Sequence, residues 1–247
     1  MLPIFQLTKA NHGFRASSDE KARLSVSQLN RSGVASRYIV VEGPIGVGKT
    51  SLAKKLAESL SADLVLEEVY ENPFLERFYR DGQSAALPAQ MFFLFARARQ
   101  IEDLRQSDLF SNVRVADYLF SKDQLFADLN LSPDELKLYN QVVESLNVEA
   151  PVPDLVIYLQ SSVDALLRRI AHRGVPFERA IDRRYLENLT DAYARFFHVY
   201  NEGPLLIVNA SQIDPINNEA DYAQLFQQIQ RTTGGRHFFN PIAAALA

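Results

Sequence analysis

Short unbroken apolar runs alternate along the chain with longer stretches in which apolar residues return every three or four positions. The runs are Tyr38-Ile39-Val40-Val41, Asp63-Leu64-Val65-Leu66, Val113-Arg114-Val115-Ala116, Leu155-Val156-Ile157-Tyr158-Leu159 and Leu205-Leu206-Ile207-Val208. Their β-branched content predicts five strands, and the run at 205–208 reads as the last. Helical stripes lie between them. Leu52, Leu56 and Leu60 with Ala53 and Ala57 form one, and Met91, Leu94, Phe95, Ala98, Ile101 and Leu104 form another over 87–105. Further helices are expected over 162–173, stopping at Gly174, over 182–200, ended by Gly203-Pro204, and over 219–230. Asn72-Pro73 reads as a helix start, and Ser132-Pro133-Asp134-Glu135 as a capping box opening a helix to about Leu146. Strand and helix alternate throughout, which predicts an α/β fold with a central, mostly parallel five-stranded sheet flanked by helices.

Residues 1–36 break the pattern. They hold Lys9, Arg15, Lys21, Arg23 and Arg31 against only Asp19 and Glu20, with serine at six positions and no sustained period. We read them as a basic, Ser-rich, disordered tail outside the fold, with an organellar transit peptide as the sharper alternative. The folded domain is then 37–247. A hydrophobic fraction of 47% over 247 residues is enough for a full core. The net charge of -4 argues against nucleic acid as the main partner, because wrapping a phosphate backbone needs a basic face. The chain has no cysteine, which removes disulfides and thiolate metal sites. No apolar run approaches the roughly 18 residues of a membrane span, so a cytoplasmic protein with no membrane partner is the expectation.

Chemistry concentrates first at Gly43-Pro44-Ile45-Gly46-Val47-Gly48-Lys49-Thr50, followed by Ser51. The segment fits G-x-x-x-x-G-K-[ST] and lies between a strand and a helix, where a phosphate-binding loop must lie. Its glycines let backbone N–H groups turn toward phosphate oxygens, and the helix behind adds its positive N-terminal end. Lys49 would reach the β- and γ-phosphates, and the Thr50 hydroxyl would hold Mg²⁺. GTPases carry a guanine-reading N-K-x-D segment, which this chain lacks. A kinase needs a base, an acceptor pocket and cations that close over the moving phosphoryl group. Positive charge gathers at 168–179, at the end of a helix and in the Gly-Pro loop beyond it. That run reads equally as a solvated face or as a lid.

Four segments then resemble the deoxynucleoside kinases: Y-I-V-V-E-G-P-I-G-V-G-K-T-S-L-A, N-P-F-L-E-R-F-Y, P-A-Q-M-F-F-L-F-A-R-A-R-Q and L-L-R-R-I-A-H-R-G-x-x-x-E-x-x-I-D-x-x-Y-L-E-N-L. They occur in order between Tyr38 and Gln230. The resemblance implies the P-loop kinase fold with a mobile lid, and ATP-dependent phosphorylation of a deoxynucleoside at its 5′-hydroxyl. It makes ATP bind over 43–51, and it makes Glu67 the carboxylate that takes the hydroxyl proton, with Glu68 as neighbour and competitor. Gln90 matches the reader of the base edge, with Arg97 two helical turns on and on the same face. Tyr79 and Glu178 match the pair that holds the 3′-hydroxyl, and Arg169 and Arg173 match the lid arginines. Phe92, Phe93, Phe95 and Tyr118 could stack on a base or belong to the core.

One departure stands out. Where most of the family has Glu-Arg-Ser, this chain reads Ala116-Asp117-Tyr118, so an arginine is missing, with Arg114 a weak substitute and Asp117 a candidate Mg²⁺ ligand beside Thr50. The family likeness leans toward the bacterial purine branch and toward a homodimer built on the helices at 87–105 and 133–146. Two rival readings are a thymidylate or other nucleoside monophosphate kinase, and a family member that binds nucleotide after losing its chemistry.

Overall fold

The computed structural model describes residues 37–106 and 113–240. The tail expected over 1–36 lies outside them. Six strands form one sheet: β1 (Arg37–Glu42), β2 (Asp63–Val65), β3 (Val113–Ala116), β4 (Leu155–Gln160), β5 (Leu205–Asn209) and β6 (Arg236–Phe239). Their order is β2-β3-β1-β4-β5-β6, and every neighbouring pair is parallel. The expected five strands are therefore six. β6 escaped the sequence reading because it is a four-residue edge strand, Arg236-His237-Phe238-Phe239, with Arg236 and Phe238 exposed, and so it shows no buried run.

The helices are α1 (Lys49–Leu60), α2 (Leu75–Asp81), α3 (Ala86–Gln106), α4 (Lys122–Asn130), α5 (Pro133–Leu146), α6 (Val163–Arg173), α7 (Arg183–Val199) and α8 (Glu219–Arg231). Capping chemistry sets several of their ends. Ser162 accepts from the Ala165 N–H and Asp182 from the Tyr185 N–H, while α6 ends on Gly174 at φ +70°. Before α5, Glu135 accepts from both the N–H and the hydroxyl of Ser132, in agreement with the box expected there. Asn72-Pro73 does not start a helix. The Asn72 side chain is buried, accepts from the Phe74 N–H and donates to the Ala89 carbonyl, so it ties a turn to α3 and the helix begins at Leu75.

The core sits on both sides of β1 and β4. Ile39, Val40, Val41, Leu155, Val156 and Ile157 are fully buried, as strands covered on both faces require. On one face Tyr158 stacks on Phe197 of α7 at 4.1 Å between ring centroids, with Tyr193 beside them. A second apolar cluster joins α3, α4 and α5 through Leu94, Ala127 and Tyr139. The chain runs first to one side of β1, through β2 and β3, and then to the other, through β4 and β5. At such a reversal the loops leaving the carboxyl ends of the strands part and open a crevice. No described helix is long and apolar enough to cross a membrane.

Candidate active site

The loop after β1 is the floor of that crevice. Gly46 has φ +82°, and a Cβ there would lie 2.7 Å from Ile170 of α6, so both conformation and space demand glycine. Lys49 bends back to donate to the Gly43 carbonyl at 2.7 Å. Burial first, then the ammonium of Lys122, lowers the Lys49 pKa.

A buried carboxylate that the sequence reading passed over fixes the loop's entry. Glu42 accepts from the Gly43 N–H at 2.8 Å, the Tyr193 hydroxyl at 2.9 Å and the Leu119 N–H at 2.7 Å. Thus α7 and the loop after β3 both hold the start of the glycine loop. The signal was available: a glutamate closing an apolar strand is costly to bury, and it stays only if donors surround it.

Thr50 and Asp117, from different segments, meet at 2.5 Å between Oγ1 and Oδ2. The other Asp117 oxygen accepts from the Glu67 N–H, and burial raises the Asp117 pKa. A hydroxyl and a carboxylate at a strand end are hard oxygen donors, and that set fits Mg²⁺ sharing its remaining positions with water and phosphate. Among the described residues no cluster of three or more acidic or histidine side chains offers a fuller cage.

Beside them lies a cleft lined by Lys49, Thr50, Glu67, Tyr79, Gln90, Arg97, Asp117, Lys122, Arg173 and Glu178 among others. Lys49 and Glu67 therefore face one cavity. Glu67 Oε1 accepts from Arg97 Nε at 3.0 Å and from its Nη2, and Oε2 accepts from Lys122 Nζ at 3.2 Å. Burial pushes the Glu67 pKa up, but the charges of Arg97 and Lys122 outweigh it, and the net value is about 2. Glu68 takes a hydrogen bond from Gln100 and is not among the residues lining the cleft.

Arg97 and Gln90 share a face of α3, as their spacing implied, and both converge on Asp123: Arg97 Nη1 pairs with Oδ1, and Gln90 donates to the same oxygen at 2.8 Å. Phe93 and Tyr118 flank the guanidinium at 5.2 and 5.7 Å from their ring centroids. Phe93 lines the cleft, Tyr118 is core at 1% exposure, and Phe95 is exposed. After Glu42, Lys122 and Asp123 are two further residues that sequence reasoning missed. Tyr79 stacks near-parallel on Phe177 at 6.1 Å, and Arg173 grips Glu178 through two bonds of 2.9 and 2.7 Å. Arg114 donates to the Leu104 carbonyl and is not among the cleft's lining residues.

On the other side of the glycine loop runs an open groove lined by Val47, Gly48, Ser51, Arg169, Asp214 and their neighbours. Arg169 spans it, donating to the Val47 carbonyl at 3.2 Å and the Ala210 carbonyl at 2.7 Å. Cleft and groove share Gly46 and Arg173 in their walls.

Two compartments thus meet at a glycine loop on the carboxyl edge of a parallel sheet, the edge where α/β enzymes bind their ligands. The chain matches the model of the deoxynucleoside kinases over residues 39–233, and it belongs to that family. Membership assigns it ATP-dependent phosphorylation of a deoxynucleoside to the 5′-monophosphate, a nucleotide-salvage reaction. A deoxyguanosine kinase of Bacillus subtilis is 34% identical over 78% of this chain and 96% of its own length. A deoxyadenosine kinase of Lactobacillus acidophilus is 31% identical over 78% of this chain and 94% of its own. In fold, the deoxyadenosine kinase of M. mycoides with bound dATP superposes at TM-score 0.68 and 24% identity, covering 78% of this chain and 99% of that one.

Proposed function

We propose that the chain uses a P-loop over 43–51 to hold ATP and phosphorylates a purine deoxynucleoside, with Glu67 facing the 5′-hydroxyl. The observation that carries this reading is the shared cavity of Lys49 and Glu67, joined to the open groove at Gly46 and Arg173. The triphosphate lies along the groove, its γ-phosphoryl group ending beside Lys49, where the two compartments meet. Arg169 and Arg173 exchange their protein partners for phosphate oxygens, and the segment from Arg169 to Glu178 acts as a lid. Thr50 and Asp117 would hold Mg²⁺, which would supply positive charge against the phosphate groups.

A carboxylate with a pKa near 2 is a weak base, yet it suits this reaction. In phosphoryl transfer the acceptor becomes strongly acidic only as the new bond forms, so Glu67 first orients the hydroxyl and takes its proton late. Gln90 offers an amide to the base edge, and Tyr79 and Glu178 hold the sugar. The purine preference follows the two relatives above. A monophosphate kinase needs an arginine for a second phosphate, and Arg97 and Arg114 are engaged elsewhere, which weighs against it. Homodimer formation through the exposed Phe95 of α3 and Leu138 of α5, in a cytoplasmic setting, completes the reading.

Steady-state phosphorylation of the four natural deoxynucleosides with MgATP tests it. Deoxyguanosine or deoxyadenosine should give the highest kcat/KM, and Lys49→Ala should lower it by about 1000-fold or more. Wild-type activity in Lys49→Ala overturns the assignment.

A further inference from the structure

Lys122 opens α4 and is only 2% exposed. An ammonium so deeply buried is tolerated where anions meet it. Its Nζ lies 3.2 Å from Glu67 Oε2 and 3.5 Å from Glu42 Oε2. These two carboxylates are not equivalent. Glu42 is committed to the Gly43 and Leu119 N–H groups and to Tyr193, so it anchors Lys122 to the rigid end of β1. Glu67 has one oxygen locked and one exchangeable: Oε1 takes two donors from Arg97, while Oε2 takes the single bond from Lys122. Any acceptor that meets Glu67 must do so at Oε2, beside this ammonium.

A second observation points the same way. Lys49 and Lys122 both line this one cleft, together with Glu67. Two cations converging on one cavity suit a ligand that brings negative charge between them, and a transferring phosphoryl group does so. The third strand ends at Ala116, the two residues after it, Asp117 and Tyr118, carry no cation, and Lys122 enters from the next helix.

We propose that Lys122 is a further catalytic residue, donating a hydrogen bond to the acceptor oxygen as it attacks; this rests on the reading of Glu67 given above. The hydroxyl inserts between Nζ and Oε2. Its O–H bond breaks with the proton passing to Oε2, its electron pair forms the new O–P bond, and the γ-phosphorus to bridging-oxygen bond breaks with its pair leaving on ADP. Lys122 keeps its protons throughout, and its charge offsets the negative charge building on the acceptor and equatorial oxygens.

The test is steady-state kinetics with deoxyguanosine and MgATP on Lys122→Met, Lys122→Arg and Lys122→Cys. The chain has no cysteine, so alkylating unfolded Lys122→Cys with 2-bromoethylamine and refolding it rebuilds an ammonium at this position alone. Lys122→Met should lose about 100-fold or more in kcat, with KM for ATP within about threefold. Lys122→Arg and the aminoethylated protein should each recover about tenfold or more of that loss. Should Lys122→Met fail to fold, aminoethylated against mock-treated Lys122→Cys gives the same comparison. A folded Lys122→Met with kcat within about fivefold of wild type overturns the proposal, as does aminoethylation that restores folding but no turnover. Wild type inactive on every deoxynucleoside would instead overturn the reading of the acceptor site.

Discussion

The cleft and the groove lie on either side of one glycine loop and are built on opposite principles. In the cleft, Glu42, Glu67, Arg97, Lys122 and Asp123 are nearly sealed from solvent and tied to one another by ion pairs, so the site is held in place before any ligand arrives. In the groove, Arg169 rests on backbone carbonyls and Arg173 is two-fifths exposed, so its charges are free to change partners. A deoxynucleoside is neutral and small, and it is recognised by groups held in fixed positions. A triphosphate brings its own charge and can draw mobile arginines onto itself. Substitutions on the two sides should therefore differ, the cleft failing in stability and the groove in turnover.

Arg97→Met should break the cleft most. The guanidinium holds Glu67 and Asp123 at once, and burial of those carboxylates without it leaves charge uncompensated. A loss of about 3 to 5 kcal/mol is expected, read as a lower urea midpoint and a fall of roughly 6 to 20 °C in Tm. A loss under about 1 kcal/mol would mean that water already solvates these groups and that the contrast is false.

Acidification sharpens the same point. The Glu67 pKa is lowered from 4.5 to about 2 in the folded protein, so its contribution is complete above the unfolded value and is lost as pH falls from there toward 2. The stability difference between wild type and Glu67→Gln should therefore be constant from pH 7 to 5 and shrink by about 2 kcal/mol by pH 3. Denaturant titrations at these pH values measure it, and an unchanged gap at pH 3 would contradict the ion pairing.

How much of this could be read from the chain follows the same division. The strands around β1 and the glycine loop were legible because unbroken apolar runs and φ-permissive glycines leave local marks. Arg169 and Arg173 of the groove stood out in the sequence because they lie four apart, on one face of α6, within a family-like segment. The cleft was only half legible. Helix α4 passed unread because Lys122 and Asp123 point inward, so ions occupy positions where apolar residues would have set the period. Its start carries no side-chain cap either. Glu42 and Lys122 show their purpose only once β1, α4 and α7 come together. The missing arginine of the third strand was visible as an absence, but that Lys122 enters the cleft shows only in the tertiary structure.

At the boundary, Gly46→Ala should cost about 1 to 3 kcal/mol, because φ +82° and a Cβ 2.7 Å from Ile170 both oppose it. At Gly48 only the φ of +105° opposes a side chain, with nothing within 4 Å of the added Cβ, so Gly48→Ala should cost less. Paired unfolding curves and the KM for ATP decide the matter. Equal costs would show that the close approach to α6 contributes nothing.

Arg173→Met should have the smallest effect on folding and is the cleanest separation of the two sides. Its bidentate bond to Glu178 is well formed, but the arginine is 41% exposed while the glutamate is buried, so solvent screens the pair from one side. Stability should fall by less than about 1 kcal/mol. Turnover is a different matter, because the same guanidinium lies in the walls of both compartments and, in the function proposed above, passes from Glu178 to phosphate. A fall in kcat of about 10- to 100-fold with unchanged unfolding is expected. Matched losses of stability and rate would instead make Arg173 a fixed part of the cleft wall, and the groove would then be as prebuilt as the cleft beside it.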